Sequence, residues 1–288
     1  MNKNLSYIEK LEEQIDNIGL IIDEMLDNSS IYYHDINANS NVLVIGASSY
    51  HWDKKDEKNQ IKAKSKYLDF YSNFNLLIDK ANPSTKRKIK EVNNWIINLI
   101  EQNRAPSSIE NGKSYYRKQT QTFKDFLKLL SSESNKTIIL PDTNSIIQYP
   151  EPKTYSNISS TEKFDFIILP TILSELDKHK MTHRNDDFRK KVTSVIKRLK
   201  GYRKQGNVLD GVTVNKTITV KMIATEPNFE KTLSWIDSKN NDDRIIANAL
   251  ELQICYPGDS VIFVTSDINL QNKAQLANLT VFDTDELE

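Results

Sequence analysis

The stretch Thr137-Ile-Ile-Leu-Pro-Asp-Thr-Asn144 decides the fold of the second half of this chain. A short apolar run ends abruptly on Asp142, and two small polar residues follow it. Such a run is typical of a parallel strand that is covered on both faces, and open α/β sheets build their sites at the carboxyl ends of such strands. An Asp at this position can also cap a helix that begins after it. The stretch alone fits both roles.

Three later segments repeat this arrangement, since each places acidic residues at the end of a strand or in the first turn of a helix. They are residues 169–177, 240–249 and 261–270. The acids concerned are Asp142, Glu175, Asp242, Asp243 and Asp267. An alternating strand–helix sequence that carries acids in this order resembles a PIN domain, the nuclease fold of many bacterial toxins and RNA-decay endonucleases. The resemblance covers residues 136–283.

The resemblance implies an α/β fold for residues 132–288, with three α/β/α layers and a central, mostly parallel sheet of about five strands. The apolar pattern predicts strands at residues 164–170, 217–224, 260–264 and 279–283 in addition to the opening one. It also predicts a helix over residues 228–237 and a helix that Thr171 caps.

Residues 1–131 are predicted to form a mainly helical domain, because apolar residues recur there at three- and four-residue steps. Helices are expected near residues 7–26, 60–79, 84–102 and 116–130, with Asn111-Gly112 in a loop. Residues 41–48 fit a short strand or a buried connector, and the polar residues 131–135 fit the domain boundary. The role expected for this domain is to bind the substrate or a protein partner, or to form a homo-oligomer.

Composition bounds the partners and the compartment of this chain of 288 residues. Lys plus Arg and Asp plus Glu both total 39, so any nucleic-acid affinity must come from a local patch. The single Cys255 excludes an intramolecular disulfide framework, and its helical, apolar surroundings predict a buried residue. No signal-peptide core and no apolar stretch of about 20 residues is present, so a cytoplasmic protein without membrane contact is expected.

The acids suggest a metal site, because several converging carboxylates raise one another's pKa values unless a cation lies between them. Their all-oxygen ligand set suits one or two ions of Mg²⁺ or Mn²⁺. The resemblance implies that Asp142, Glu175, Asp243 and Asp267 are the catalytic ligands, with Asp242 as a competitor for the place of Asp243. The supporting residues are Asn144, Thr265 and Ser266.

Three other metal or Asp-based sites fit these residues less well. A haloacid-dehalogenase-like phosphatase needs a second Asp where Asn144 stands, and a metal-dependent adhesion site needs Ser at Asn144 and Ile146. His179 and His183 have the spacing of a zinc pair, but the pattern of a third ligand is missing.

A long helix predicted over residues 186–206 carries clustered Lys and Arg residues on the side opposite its apolar face. They are Arg189, Lys190, Lys191, Lys197, Arg198, Lys200, Arg203 and Lys204. The pattern fits a solvated face and a phosphate-binding face equally well. Together with the resemblance, it predicts an endoribonuclease of RNA processing, toxin or defence systems that cuts single-stranded or loop RNA. The alternatives are a PIN-fold RNA-binding or scaffold module and a nuclease that acts on DNA.

Overall fold

The computed structural model describes residues 4–35, 49–79, 81–131, 136–159 and 161–288. These residues form two compact units. One unit comprises residues 11–130, and the other comprises residues 131–288 together with the amino-terminal residues through Lys10. The segment predicted as a strand or connector, residues 41–48, lies outside the described residues, as does most of the predicted boundary, residues 132–135.

The unit of residues 11–130 is mainly helical. Its helices are α1 (Tyr7–Asp27, from Leu11 onward), α2 (Glu57–Ile78), α3 (Pro83–Ile100) and α4 (Ile109–Leu130). Aromatic rings from α2 and α4 form much of the core, where the ring centroids of Phe74 and Phe123 lie 4.8 Å apart. The structure adds a small antiparallel sheet of β1 (Ser30–Tyr33) and β2 (Tyr50–Lys54), which the sequence pattern did not indicate.

The loop predicted at Asn111-Gly112 is wrong, because both residues lie in the first turns of α4. The Ser108 hydroxyl accepts a hydrogen bond from the Asn111 N–H at 3.1 Å and thereby caps the helix. Gly112 contacts Pro106 so closely that a Cβ there would lie 3.1 Å from the proline ring. The glycine therefore serves close packing at the start of a helix and not a turn.

The unit that contains residues 131–288 is an α/β domain with a central, mostly parallel sheet, as predicted. Its strands are β3 (Thr137–Pro141), β4 (Phe164–Ile168), β5 (Val212–Val214), β6 (Ile218–Met222), β7 (Ser260–Val264) and β8 (Thr280–Phe282). Its helices are α5 (Thr143–Gln148), α6 (Pro170–Thr182), α7 (Asp186–Gln205), α8 (Asn241–Cys255) and α9 (Ile268–Leu276). Short 3-10 helices occupy Pro152–Ile158, Phe229–Lys231 and Thr284–Leu287.

The strand order is β5-β6-β4-β3-β7-β8, and all neighbours are parallel except the antiparallel pair β5 and β6. The sheet thus has six strands, one more than predicted, because β5 is a three-residue edge strand. The strand β3 is buried along its whole length and lies at the centre of the sheet. It pairs with β7 from Thr137 opposite Ser260 to Pro141 opposite Val264, so both strands deliver their next residues to the same edge.

Three local predictions in this unit are wrong. The helix α6 begins at Pro170 with Leu169 as its N-cap, so Thr171 is not the cap. Proline suits the first helical position because it has no N–H that would be left unpaired there. Residues 228–237 contain only the short 3-10 helix Phe229–Lys231 and a turn from Leu233 to Ile236, and the Asp237 N–H donates to the Asp243 carboxylate instead of to a helical carbonyl. Cys255 is exposed, because α8 ends at that residue.

Candidate active site

Asp142 lies at the carboxyl end of β3, where its side chain also caps α5. Its carboxylate accepts hydrogen bonds from the Ser145 N–H at 2.6 Å and from the Thr265 hydroxyl at 2.5 Å. Only 4% of the residue is exposed. Burial raises the pKa of this carboxyl, the bonds from Ser145 and Thr265 oppose the rise, and the charge of Asp267 adds to it. The two roles that the sequence left open for Asp142 are therefore compatible.

Thr265 connects Asp142 with Asp267. The Thr265 side chain is fully buried, and its hydroxyl donates to Asp142 Oδ2 and accepts from the Asp267 N–H at 3.1 Å. Asp267 itself is exposed and caps α9 by accepting from the N–H groups of Asn269 and Leu270. Ser266 is exposed between them. The ends of β3 and β7 thus bring two of the predicted acids to one place.

Glu175 on α6 joins the first and third acidic segments. One of its carboxylate oxygens accepts a hydrogen bond from the Thr143 hydroxyl, directly after Asp142 in the chain. The other accepts from the Asn241 amide at 2.9 Å, directly before Asp242. The side chain is half-buried, so both of its oxygens are oriented while part of the group remains accessible.

Asp243 differs from these acids because a lysine compensates its charge. Its Oδ1 lies 2.7 Å from the Nζ of Lys273, and its Oδ2 accepts a hydrogen bond from the Asp237 N–H at 2.9 Å. Asp242 is more exposed and lies 3.5 Å from the same lysine. Burial lowers the pKa of Lys273, but the hydrogen bond and the charge of Asp243 outweigh this and raise it overall.

Lys273 is a residue of this site that the sequence did not reveal. It lies on α9, far along the chain from Asp242 and Asp243, and no motif spacing connects a lysine with an acid at such a separation. The only available signal was its position in the helix that follows Asp267.

The acids are connected in pairs rather than gathered. Within the described parts of the chain, no three His, Cys, Asp or Glu side chains are grouped so that they could hold a metal ion together. The ligand chemistry still suits a divalent cation, because Asp142, Glu175 and Asp267 form no ion pair with any Lys or Arg that the structure describes. A buried carboxylate without a cation is the kind of group that an oxygen-preferring metal ion stabilises.

His179 and His183 pack against an aromatic ring instead of forming the core of a zinc site. The ring centroids of the two histidines are 5.9 Å apart, and Phe188 lies 4.1 Å from His183 and 5.6 Å from His179. The described residues supply no third ligand.

The basic face of α7 is only partly neutralised. Arg189, Lys190 and Arg198 pair with Asp186, Asp187 and Glu151. The remaining five cations have no ion pair with any described residue: Lys191, Lys197, Lys200, Arg203 and Lys204. The helix therefore keeps a positive surface in a chain without net charge.

Parallel strands that are followed by acids, together with helices that carry further acids near their amino ends, define an α/β protein with an acidic site at the carboxyl edge of its sheet. A family model of the PIN domain matches residues 138–285, just over half of the chain and the whole of the predicted acid set. The chain belongs to the PIN domain family. PIN domains are generally nucleases and usually bind divalent metal ions. No curated protein matches the chain.

No helix among the described residues is long and apolar enough to span a lipid bilayer.

Proposed function

We propose that this PIN domain protein is a metal-dependent endoribonuclease that hydrolyses phosphodiester bonds within single-stranded or loop RNA. The observation that carries the proposal is the state of Asp142, a buried carboxylate at the end of a central strand with a raised pKa. Burying such a charge without a cation costs free energy, and a bound divalent ion removes that cost. The acid is thus suited to a metal rather than to a structural ion pair.

The residues proposed to hold Mg²⁺ or Mn²⁺ are Asp142, Glu175, Asp267 and one of Asp242 and Asp243. When bound, one or two such ions would supply an activated water and a Lewis acid for the scissile phosphate. Asp243 can contribute only when Lys273 shares its carboxylate, because the lysine already occupies Oδ1. Asp242 has the longer contact and is the alternative ligand.

The surrounding hydroxyl and amide groups would fix the direction of the acids. The Thr265 hydroxyl holds one oxygen of Asp142, while Thr143 and Asn241 hold both oxygens of Glu175. Partners of this kind orient metal ligands, and their loss weakens metal binding or activity by about 10–100-fold. These contacts orient the carboxylates of Asp142 and Glu175, while binding of an ion would still have to draw the pairs of acids together.

RNA is the proposed polymer, and the free cations of α7 would bind its phosphates. Phosphate contacts of this type give affinity without reading sequence and make binding depend on salt. The helical unit of residues 11–130 is proposed to select the substrate or a protein partner, which suits an RNA-processing or defence nuclease more than a stand-alone toxin. The proposed compartment is the cytoplasm.

The test compares wild type with Asp142→Asn on labelled single-stranded RNA and DNA of matched sequence. Each polymer is incubated with Mn²⁺, with Mg²⁺ and with chelator. We expect wild type to cut RNA with either metal, chelator to stop it, and the variant to be inactive. Cleavage of DNA alone would replace RNA with DNA as substrate. Binding of RNA without cleavage under any condition would overturn catalysis in favour of a binding module.

A further inference from the structure

A cleft of about 640 Å³ opens next to the candidate active site, between α5 and α7. The residues that matter for its chemistry are Asn144, Ile147 and Gln148 from α5 and Phe188, Lys191 and Ser194 from α7. Asn144 is two residues beyond Asp142, so the cleft reaches the first turn of the helix that Asp142 caps. Its volume lies in the range of pockets that hold small organic groups, which extends over roughly 300–1,000 Å³.

Two carboxamides from α5 line this cleft. Asn144 and Gln148 are four residues apart and therefore share one face of α5. The side chain of Asn144 is exposed and makes no hydrogen bond to any part of the chain that the structure describes. Gln148 uses its Nε2 to donate to the Tyr149 hydroxyl at 3.2 Å, which leaves its carbonyl oxygen as an acceptor. Carboxamides present a donor and an acceptor side by side, the pattern that the edge of a nucleobase matches.

Apolar and aromatic side chains form another part of the lining. Ile147 and Val195 are buried in its lining, and Phe188 is half-buried with its ring held by His183. A flat ring beside aliphatic side chains is a surface on which a base can stack without selection of its sequence. Hydrogen-bonding groups and a stacking surface thus occur in the same cleft.

A cation completes the lining of this cleft. Lys191 is exposed and has no ion pair among the described residues, and Lys197 and Lys200 follow on the same helix in the same state. A base that enters the cleft would bring its own phosphate close to Lys191. The combination of carboxamides, stacking surface and cation fits one nucleotide of an unpaired strand better than it fits an apolar ligand.

We propose that this cleft binds one nucleobase of single-stranded RNA next to the nucleotide whose phosphate lies at Asp142. The inference rests on the proposed ribonuclease function, because it deepens that function to a base-binding subsite. Its consequence is that the enzyme senses the presence and the identity of a base beside the cut, while the phosphates bind without such selection.

The test measures equilibrium binding in chelator, where the proposed cleavage does not occur. A fluorescent single-stranded RNA is compared with a strand of the same length built from a stable abasic analogue. We expect wild type to bind the RNA about tenfold more tightly than the abasic strand, as one stacked base can provide. Ser194→Trp, which fills the cleft from an exposed position, should bring this ratio close to one.

Two controls separate base binding in the cleft from phosphate binding and from unspecific effects of a new side chain on α7. Gln205→Trp places the same side chain at the exposed end of the helix and should keep the ratio of wild type. Lys191→Met should weaken the binding of both strands by the same factor. If circular dichroism shows that Ser194→Trp is misfolded, Phe188→Leu replaces it and should lower the ratio.

Two outcomes would overturn the base-binding cleft: a ratio near one for wild type, or the wild-type ratio in Ser194→Trp. The ribonuclease proposal fails in a different way. A protein that shows the expected ratios in chelator and yet cuts no RNA with Mn²⁺ or Mg²⁺ has the base site without the nuclease.

Discussion

Asp142 and Asp243 are two nearly buried carboxylates of one domain, yet their charges are treated differently. Asp142 receives only neutral donors, the Ser145 N–H and the Thr265 hydroxyl, and its pKa is raised. Asp243 has a full cation at 2.7 Å in Lys273 and a backbone donor in Asp237. Asp142 is therefore oriented by hydrogen bonds but has no ion-pair partner among the described residues, whereas Asp243 forms an ion pair with Lys273.

This contrast predicts different roles for the two acids. An acid with a lysine partner is stable without any ligand, so it can fix α8 against α9 permanently. An acid with neutral partners is oriented but remains costly to ionise, so it gains most from a divalent cation. We therefore expect changes at Asp142 to act on metal and activity, and changes at Lys273 to act first on stability.

The largest effect is expected for Asp142→Asn. The variant should lose about 10³-fold or more in kcat, since the substitution removes the charge of the proposed metal ligand while it keeps the shape of the side chain. The variant should fold, and without metal it should be at least as stable as wild type at neutral pH, because the neutral amide avoids the cost of a buried charge and its oxygen can still accept from the Ser145 N–H. Cleavage assays and thermal denaturation measure the two quantities. If Asp142→Asn is unfolded, its loss of activity says nothing about catalysis. Asp142→Glu, which keeps the charge but moves the carboxylate, is then tested in its place.

A smaller loss of activity is expected for Thr265→Val, which keeps the volume but removes the hydroxyl between Asp142 and Asp267. Asp142 then loses the hydrogen bond that the Thr265 hydroxyl donates to its Oδ2, so the affinity for the metal ion should fall by roughly 10–100-fold. The measurement is the Mn²⁺ concentration that gives half-maximal cleavage. Thr265→Ser, which restores the hydroxyl, should recover it, and equal metal dependence in wild type and Thr265→Val would contradict the role given to this side chain.

On the other side of the comparison, Lys273→Met should lower the free energy of unfolding by about 1–3 kcal/mol, because Asp243 stays buried without its cation. Denaturant titration measures this change. The double variant Lys273→Met with Asp243→Asn should regain part of the loss, since no charge is then left unpaired. If the double variant is less stable than Lys273→Met alone, the ion pair is not what holds Asp243.

The smallest effect is a pH dependence of stability without metal. A carboxyl with a raised folded-state pKa binds its proton more tightly in the folded protein, so its contribution is complete below the unfolded pKa of about 3.9 and is lost as the pH rises through the folded one. Asp142→Asn has no proton to lose at this position, so its stability does not fall with pH in this way. In chelator, the melting temperature of the variant relative to wild type should therefore increase with pH, and a constant difference would contradict the burial effect.

The acids of the site were accessible to sequence reasoning because each follows a strongly apolar strand or lies within the first two turns of a helix. The run that ends before Asp142 and the run that ends before Thr265 have the short, uninterrupted apolar pattern that is typical of strands in a covered parallel sheet. The family match at residues 138–285 confirms the resemblance that this order of acids indicated. The metal ligands themselves stay a prediction.

Other parts could not be read from the sequence for physical reasons. The strand β5 has only three residues, too few for a periodic signal, and its pairing with β6 decides its conformation. Residues 228–237 look helical, but the Asp237 N–H bonds the carboxylate of Asp243 instead of continuing a helix. Lys273 and Asp243 are distant in sequence and form their ion pair only because α9 packs beside α8.

The most direct test of the central claim uses a covalently closed, single-stranded RNA circle, because a circle has no ends and can be opened only by internal hydrolysis. Wild type and Asp142→Asn are incubated with the circle and Mn²⁺, and the appearance of linear RNA is followed. We predict that wild type opens the circle and that the variant does not. An intact circle under conditions where linear RNA is degraded, or equal opening by both proteins, would contradict an endoribonuclease that depends on Asp142.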